Sequence, residues 1–497
     1  MLEDKTASNS FLQARSHDAD RSQLLRLRAG LDESTLPGVE AIGASYNPFG
    51  FYASPRSIVT PNIFNWKDAE YESFKYLDKV YQKPKAVGAV QYSESITRQV
   101  TGQNIEEFQQ NLGASAKVEG SYLFFSGSLS AEFSQDSLRK SECEFSRIQQ
   151  SITPWALTLT INAETRGFLN KTFRDELDSL DASNEDACNS FFTKYGSHIL
   201  TGIAMGGRAL QTASTNKYKV DQSYSLDVVA KAAYDGLVGK LSAEAQVKYG
   251  SAISSFTANS NISSTTTGGD PALGQNLFNG KISVLEEWSK SVVEAPVFVD
   301  FTANNPLVPI WQLCASDAQG AKVRSGLSAY YSNHWAPDNA AANRVRADYI
   351  DAIRFVQGTV PVGYEKLEPT ITILNSLTQF SLSYHKARYS QAGTNKPAVI
   401  DIVASRIFDL HPPDGYIDMG ITLGSGLEAS RLYYKTGEYD PATAIIDLAW
   451  GWNSILASGN DHTEPPPNFT RINRNLGPLW SPLASELYLY YTRGDNI

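Results

Sequence analysis

Ser197 and His198, a hydroxyl beside an imidazole within "YGSHILTGIAMGG" (residues 195–207), are the pair that most invites a chemical reading. A nucleophile and its base must hydrogen-bond side chain to side chain, and a further group, often a carboxylate, must orient the ring. On a strand, adjacent residues point to opposite faces, so these two are expected not to meet. The stretch contains no carboxylate. The six histidines are otherwise scattered, and no His-x-x-x-His or carboxylate cluster marks a metal site. Cys143, Cys188 and Cys314 make neither a disulfide framework nor a spaced ligand set. The expectation is a protein that is not an enzyme and has no metal or cofactor, with Tyr195 and His198 as packing and hydrogen-bonding residues.

If not chemistry, then mechanics. Gly206 and Gly207 close the same stretch, and without Cβ atoms they can bend a strand and admit another backbone. Either side of them lie two segments with strand-like alternation. In "LFFSGSLSAEFS" (123–134), Leu123, Phe125, Leu129, Ala131 and Phe133 alternate with Ser126, Ser128, Ser130, Glu132 and Ser134. Just upstream, Ala114, Ala116, Val118 and Tyr122 alternate with Ser115, Lys117, Glu119 and Ser121 on the opposite parity. A parity flip beside Gly120 is what a hairpin tip produces when both arms keep one face apolar. Each arm has about the nine to eleven residues that a transmembrane strand needs.

The pattern returns further on. Leu237, Leu241, Ala243, Ala245, Val247 and Tyr249 alternate with Lys240, Ser242, Glu244, Gln246 and Lys248. Before the flip at Asp235 and Gly236, Leu226, Val228, Ala230, Ala232 and Tyr234 alternate less cleanly, because Val229 and Ala233 interrupt them. Yet both segments are rich in Ala, Ser, Leu, Lys and Glu and poor in β-branched residues. They read equally well as short helices broken at glycines.

These elements need a frame to hold them. The 497 residues carry 42% hydrophobic residues and a net charge of −10, which suits large cores and gives no nucleic-acid footprint. "MLEDKTASNS" has no apolar signal core, and no run of about 18 apolar residues spans a membrane. The expectation is a chain made as a soluble protein; if it reaches a membrane, it must do so by another route. Residues 1–35 read as a loosely attached arm with a short helix near "SQLLRLRAGL". Helices are expected in "GFLNKTFRDELDSL" and in "SNEDACNSFFTKYG", the latter capped by Ser183 and Asp186. Strands are expected in "PWALTLTIN" and "ALQTAST".

Gly and Pro in "GTVPVGYEKLEPT" (358–370) suggest a domain boundary. Beyond it lies a diverged repeat. Tyr-rich strands begin at Leu382, Arg431 and Tyr488, Asp401 corresponds to Asp447, and "PPDGYIDMGITLG" corresponds to "PPPNFTRINRNLG". Three such strands with two full units between them imply three small sheets about a pseudo-threefold axis, the last strand pairing back to the first unit. That is an all-β β-prism over residues 365–497.

Tyr195, Gly196, Ser197, His198 and the later Gly206–Gly207 pair, set between the two alternating segments, resemble the signature of the membrane attack complex/perforin (MACPF) family. Ile199 stands where the family usually has an aromatic residue. The resemblance covers about residues 36–357. It implies an α+β domain: a bent, twisted antiparallel central sheet flanked by two helical clusters, with the Gly-Gly pair at the bend. It also implies that the clusters refold into amphipathic hairpins completing a transmembrane β-barrel. In that state Val118, Tyr122, Leu123, Phe125, Leu129 and Phe133 of the first hairpin would face lipid. So would Leu226, Val228, Leu237, Leu241, Val247 and Tyr249 of the second. Lys117, Glu119, Ser128, Glu132, Lys240, Glu244 and Lys248 would line the lumen. The implied activity is pore formation (cytolysis) by a homo-oligomeric ring assembled from monomers. The C-terminal domain would bind a lipid, surface glycan or receptor of the target cell. The alternative is a non-lytic cell-surface binding or adhesion protein on the same fold.

Overall fold

The structure is a computed structural model. It describes residues 25–26, 31–60, 63–92, 95–116, 124–302, 305–367, 371–373, 378–389, 395–406, 413–423, 429–454, 465–466, 469–472, 474–476 and 484–494. The chain divides into two compact units. One holds residues 1–137 and 143–344, the other Leu138–Glu142 and Val345–Ile497.

The first unit is organised by an antiparallel sheet four strands wide. Its two inner strands are β3 (Cys143–Leu159) and β4 (Gly202–Asn216), paired along nearly their whole length. Each outer position is filled by two shorter strands end to end. Beside β3 lie β1 (Val87–Gln91) and β2 (Ser95–Gly102); beside β4 lie β5 (Ser260–Thr267) and β6 (Val297–Phe301). Nearly every residue of β3 and β4 is buried, polar ones included, because helices cover both faces. Phe145 of β3 meets Phe108 and Phe133 on one face, with ring centroids 6.2 and 5.1 Å away. On the other face Ile148, Ala209 and Ala213 share a core with Val229, Ala233, Phe256 and Trp288.

The helices expected from sequence form at Lys171–Asp178 and Glu185–Tyr195. The cap of the second is Asn184, not Ser183: its side chain accepts from the amides of Asp186 and Ala187. Most of residues 1–35 lies outside the described residues. Of those described, Leu25 is buried and Arg26 pairs with buried Glu40 at 3.3 Å.

The second unit holds three small antiparallel sheets. Tyr349–Gln357, Thr378–Ala387, Tyr364–Lys366 and Ile371–Ile373 form the first. Ala398–Arg406, Ser430–Gly437 and Tyr416–Leu423 form the next. Ile445–Ser454, Ala484–Arg493 and Thr470–Arg471 form the last. All three feed one apolar core, at equivalent positions Ile350, Val399 and Ile445 and again Ile353, Ile402 and Leu448. Asp401 and Asp447 are equivalent as expected: each follows a bulge and accepts from the next residue's amide.

Two details differ from the sequence reading. The last strand pairs with Ile445–Ser454 in its own sheet and does not return to the first unit of the repeat. The proposed boundary at 358–370 lies inside the first sheet, so Tyr349–Gln357 belongs to the C-terminal unit and not to the preceding domain. The reason is a repeated turn. The amide of Tyr364 donates to Pro361 O, that of Tyr416 to Pro413 O, and that of Phe469 to Pro466 O, at 3.1, 3.0 and 3.0 Å. The Pro-Gly run is the first of three equivalent turns, so three full units exist where the sequence had suggested two.

Candidate functional site: the bent sheet and its helical clusters

Gly206 and Gly207 sit where β4 changes outer partner. Residues up to Gly206 pair with β6 and residues from Arg208 onward with β5. Opposite, β3 is irregular between Ile152 and Trp155 and changes partner from β2 to β1. All four positions of the sheet break at one level, and Gly206 and Gly207 lie at that level. A Cβ on Gly206 would stand 1.9 Å from Ile152 O. One on Gly207 would stand 2.5 Å from Val292 Cγ2 and 3.0 Å from Trp288 Cζ2. The sequence reading missed a second glycine pair at the same place. Gly268 has φ +76°, and a Cβ on it would stand 2.4 Å from Gly206 O. The Trp288 indole N–H donates to Gly268 O at 3.2 Å. Trp288 thus packs against three of the four glycines, Gly207, Gly268 and Gly269.

The other signature residues lie upstream of the glycine pair, at a separate three-stranded sheet in which His198–Leu200 pairs with Ser45–Tyr46 and Leu307–Pro309. Tyr195 ends its helix, and its hydroxyl donates to Glu176 Oε2 at 2.9 Å. Gly196 follows at φ +74°. Contrary to expectation, Ser197 Oγ and His198 Nδ1 do meet, at 3.0 Å. Ser197 precedes the strand His198–Leu200, so strand alternation does not separate the pair. Both are buried. Burial lowers the His198 pKa to about 3, so the ring is neutral. It packs against Phe124, Trp311 and Tyr331, with centroids 6.0, 6.4 and 5.5 Å away. Among the described residues, no carboxylate hydrogen-bonds to the ring.

The two alternating segments bridge neighbouring strands at one end of the sheet. The first connects β2 to β3, where Gly102 pairs with Phe145; the second connects β4 to β5, where Thr215 pairs with Ser260. Both are helical here. The first contains α1 (Ile105–Ser115), α2 (Ser126–Glu132) and α3 (Gln135–Arg139). The second contains α4 (Leu226–Leu237) and α5 (Ala243–Asn259). Phe125, Leu129 and Phe133 are core residues, and so is Ser128, whose Oγ accepts from Tyr52 N at 2.8 Å. Glu132 pairs with buried Arg147 of β3 at 3.1 Å. Leu226, Val228, Leu237, Leu241 and Tyr249 are half-buried. Val247 is 88% exposed, and Lys240, Glu244 and Lys248 face solvent. Lys117, Val118, Glu119, Tyr122 and Leu123 lie outside the described residues. Val229 and Ala233, which broke the strand alternation, are one helical turn apart and buried in α4.

The sheet beneath α2 is polar. Asp300 of β6 accepts from Tyr52 Oη at 2.9 Å and from Arg98 Nε at 2.8 Å. The Arg147 guanidinium lies 4.8 Å from the Tyr52 ring centroid. On this face Arg147 Nη2 and Gln149 Oε1 are buried without a hydrogen-bond partner. Among the described residues, no helix is long and apolar enough to cross a membrane, and no group of three or more His, Cys, Asp and Glu side chains could hold a metal.

The MAC/Perforin domain profile matches residues 35–339. The chain belongs to the MAC/Perforin family. Its fold is similar to that of GNIP1Aa from Chromobacterium piscinae, with TM-score 0.59 and 20% identity over 92% of this chain and 82% of that one. A putative cell invasion protein with a MAC/Perforin domain from Bacteroides thetaiotaomicron matches at TM-score 0.42 and 12% identity, covering 60% of this chain and 61% of that one. Vertebrate Astrotactin-2 matches at TM-score 0.30 and 11% identity, covering 60% of this chain and all of that one. No curated protein matches.

Proposed function

We propose that this MAC/Perforin protein forms pores and is not an enzyme. Its C-terminal unit, read as a β-prism, attaches the secreted monomer to a lipid, glycan or receptor on the target cell. Monomers then assemble into a ring. The two helical segments extend as hairpins, apolar face to lipid and polar face to the lumen.

One observation carries this reading: each segment joins two strands that are already antiparallel neighbours, and all four of those strands end at the same edge. Unfolding either segment into a hairpin therefore lengthens an existing ladder in register. A lengthened sheet satisfies its backbone groups in lipid only when closed, so assembly belongs to the mechanism. The buried polar face beneath α2 supports it as well. Arg147 and Gln149 are poorly served in a dry interior, and water would satisfy them once the helices leave.

Release of a trapped dye from target-cell membrane vesicles by the full-length chain tests the proposal. Binding without release favours the non-lytic adhesion reading instead.

A further inference from the structure

The short segment Leu138–Glu142, from the last two residues of α3 to the start of β3, belongs to the C-terminal unit. It is firmly held there. Leu138 is buried, the Asp348 amide donates to Arg139 O at 3.0 Å, and Ser141 Oγ donates to Ile446 O at 3.3 Å. At the centre stands Lys386, whose side chain is 9% exposed. Its ammonium donates to Ser141 Oγ at 3.1 Å and to Glu142 Oε2 at 3.3 Å, with Asp447 Oδ1 at 4.0 Å.

A buried ammonium needs its partners, since removing one side of a buried pair leaves an uncompensated charge. The segment supplies the two nearest. Burial would lower the Lys386 pKa, but Asp447, Glu142 and Glu365 outweigh it and hold the group protonated. The segment is also where the first hairpin would have to begin. Cys143 pairs with Asn216 in the sheet, so extending that ladder would bring Glu142 opposite Lys217. Glu142 cannot hold Lys386 and occupy that rung together.

We propose that Leu138–Glu142 is an intramolecular latch: the first insertion segment cannot extend until this segment and Glu142 leave Lys386 on the C-terminal unit. The inference rests on the pore-forming reading and adds to it a control point through which the binding unit governs insertion.

The test locks and loosens the latch. Arg139→Cys with Asp348→Cys places thiols on the two residues joined by the 3.0 Å backbone hydrogen bond, and loss of both added thiols on oxidation is verified before the assay. The full-length chain, tagged with histidines at its C-terminus, is captured on dye-filled phosphatidylcholine vesicles containing a nickel-chelating lipid, so that capture needs no receptor. The oxidised double variant should be captured like the reduced one yet release no dye, and reductant should restore release. Glu142→Gln, checked for parental circular dichroism, should shorten the lag before release several-fold. Equal release by oxidised and reduced forms overturns the latch and leaves the pore reading standing. An unchanged lag in Glu142→Gln overturns the part given to the ion pair. No release from any form, the parent included, overturns the pore reading itself and the latch with it.

Discussion

The Trp288 ring lies against the bare Cα of Gly207, so close that an added Cβ would stand 3.0 Å from Cζ2 and 2.5 Å from Val292 Cγ2. The bend is thus a socket filled by an indole, and its fit depends on the absence of one carbon.

Gly207→Val should overpack that socket. Forcing extra carbons into a filled core costs about 1–3 kcal/mol. The midpoint of chemical denaturation of the full chain should fall accordingly. Trp288→Leu in the same background should recover part of the loss, because it removes the ring the new side chain strikes. A Gly207→Val protein as stable as the parent would show that the bend tolerates a side chain.

The packing of α4 gives a second expectation. Val229 is buried, whereas its neighbour Val228 is half-buried. Burying an amide without a partner costs roughly 1–3 kcal/mol in proteins. Val229→Asn should therefore lower the stability of the folded monomer by about that much, and Val228→Asn by clearly less. In the extended hairpin the order reverses, because Val228 is assigned to lipid. Val228→Asn should then slow dye release from a monomer of near-parental stability. Equal destabilisation by both variants would contradict the helical packing.

Several of these relationships were legible in the sequence and several were not, for identifiable reasons. Gly206 and Gly207 could be singled out because adjacent glycines in a strand have few uses other than a bend or a close approach, and the close approach is seen. Gly268, Gly269 and Trp288 could not, since nothing local in "TTTGGDP" or "EEWSK" tells that they meet the first pair. The alternation of residues 226–249 was readable, but Val229 and Ala233 looked like flaws; they are the helix-facing half of a stretch that carries two patterns. Ser197 and His198 were expected to point apart because the strand was imagined one residue too long. The Pro361–Tyr364 turn passed for a linker because punctuation looks alike between domains and within a repeat, and only its copies at Pro413 and Pro466 reveal which it is.

His198 makes stability depend on acidity. Its folded-state pKa of about 3 lies below the ordinary histidine value of about 6.5. The unfolded chain therefore binds the extra proton first. The contribution is complete above pH 6.5 and is lost as pH falls from there toward 3. At pH 5 the loss is on the order of 2 kcal/mol. Thermal unfolding of the parent at pH 7 and pH 5 should show it. His198→Gln, though less stable overall, should lose less than the parent between the same two pH values. A variant with the parental pH dependence would assign the acid sensitivity to other groups.

The orientation of the second hairpin is best tested where the monomer imposes no burial of its own. Leu129 and Ser128 do not qualify, because both are buried in the folded monomer. Val247 and Gln246 do: both are exposed on α5, and Val247 is 88% exposed. Charge at either should leave the monomer folded. In the extended hairpin they face opposite ways, Val247 to lipid and Gln246 to the lumen. Arginine on a barrel's lipid face costs roughly 2–4 kcal/mol near the midplane, and a lumen substitution mainly alters selectivity. Every subunit of a ring bears that cost. Val247→Arg should therefore bind vesicles like the parent and release no dye, while Gln246→Arg binds and releases, with altered selectivity between anionic and cationic dyes. Release by both variants, or loss confined to Gln246→Arg, would mean that this arm does not insert with the parity its sequence carries.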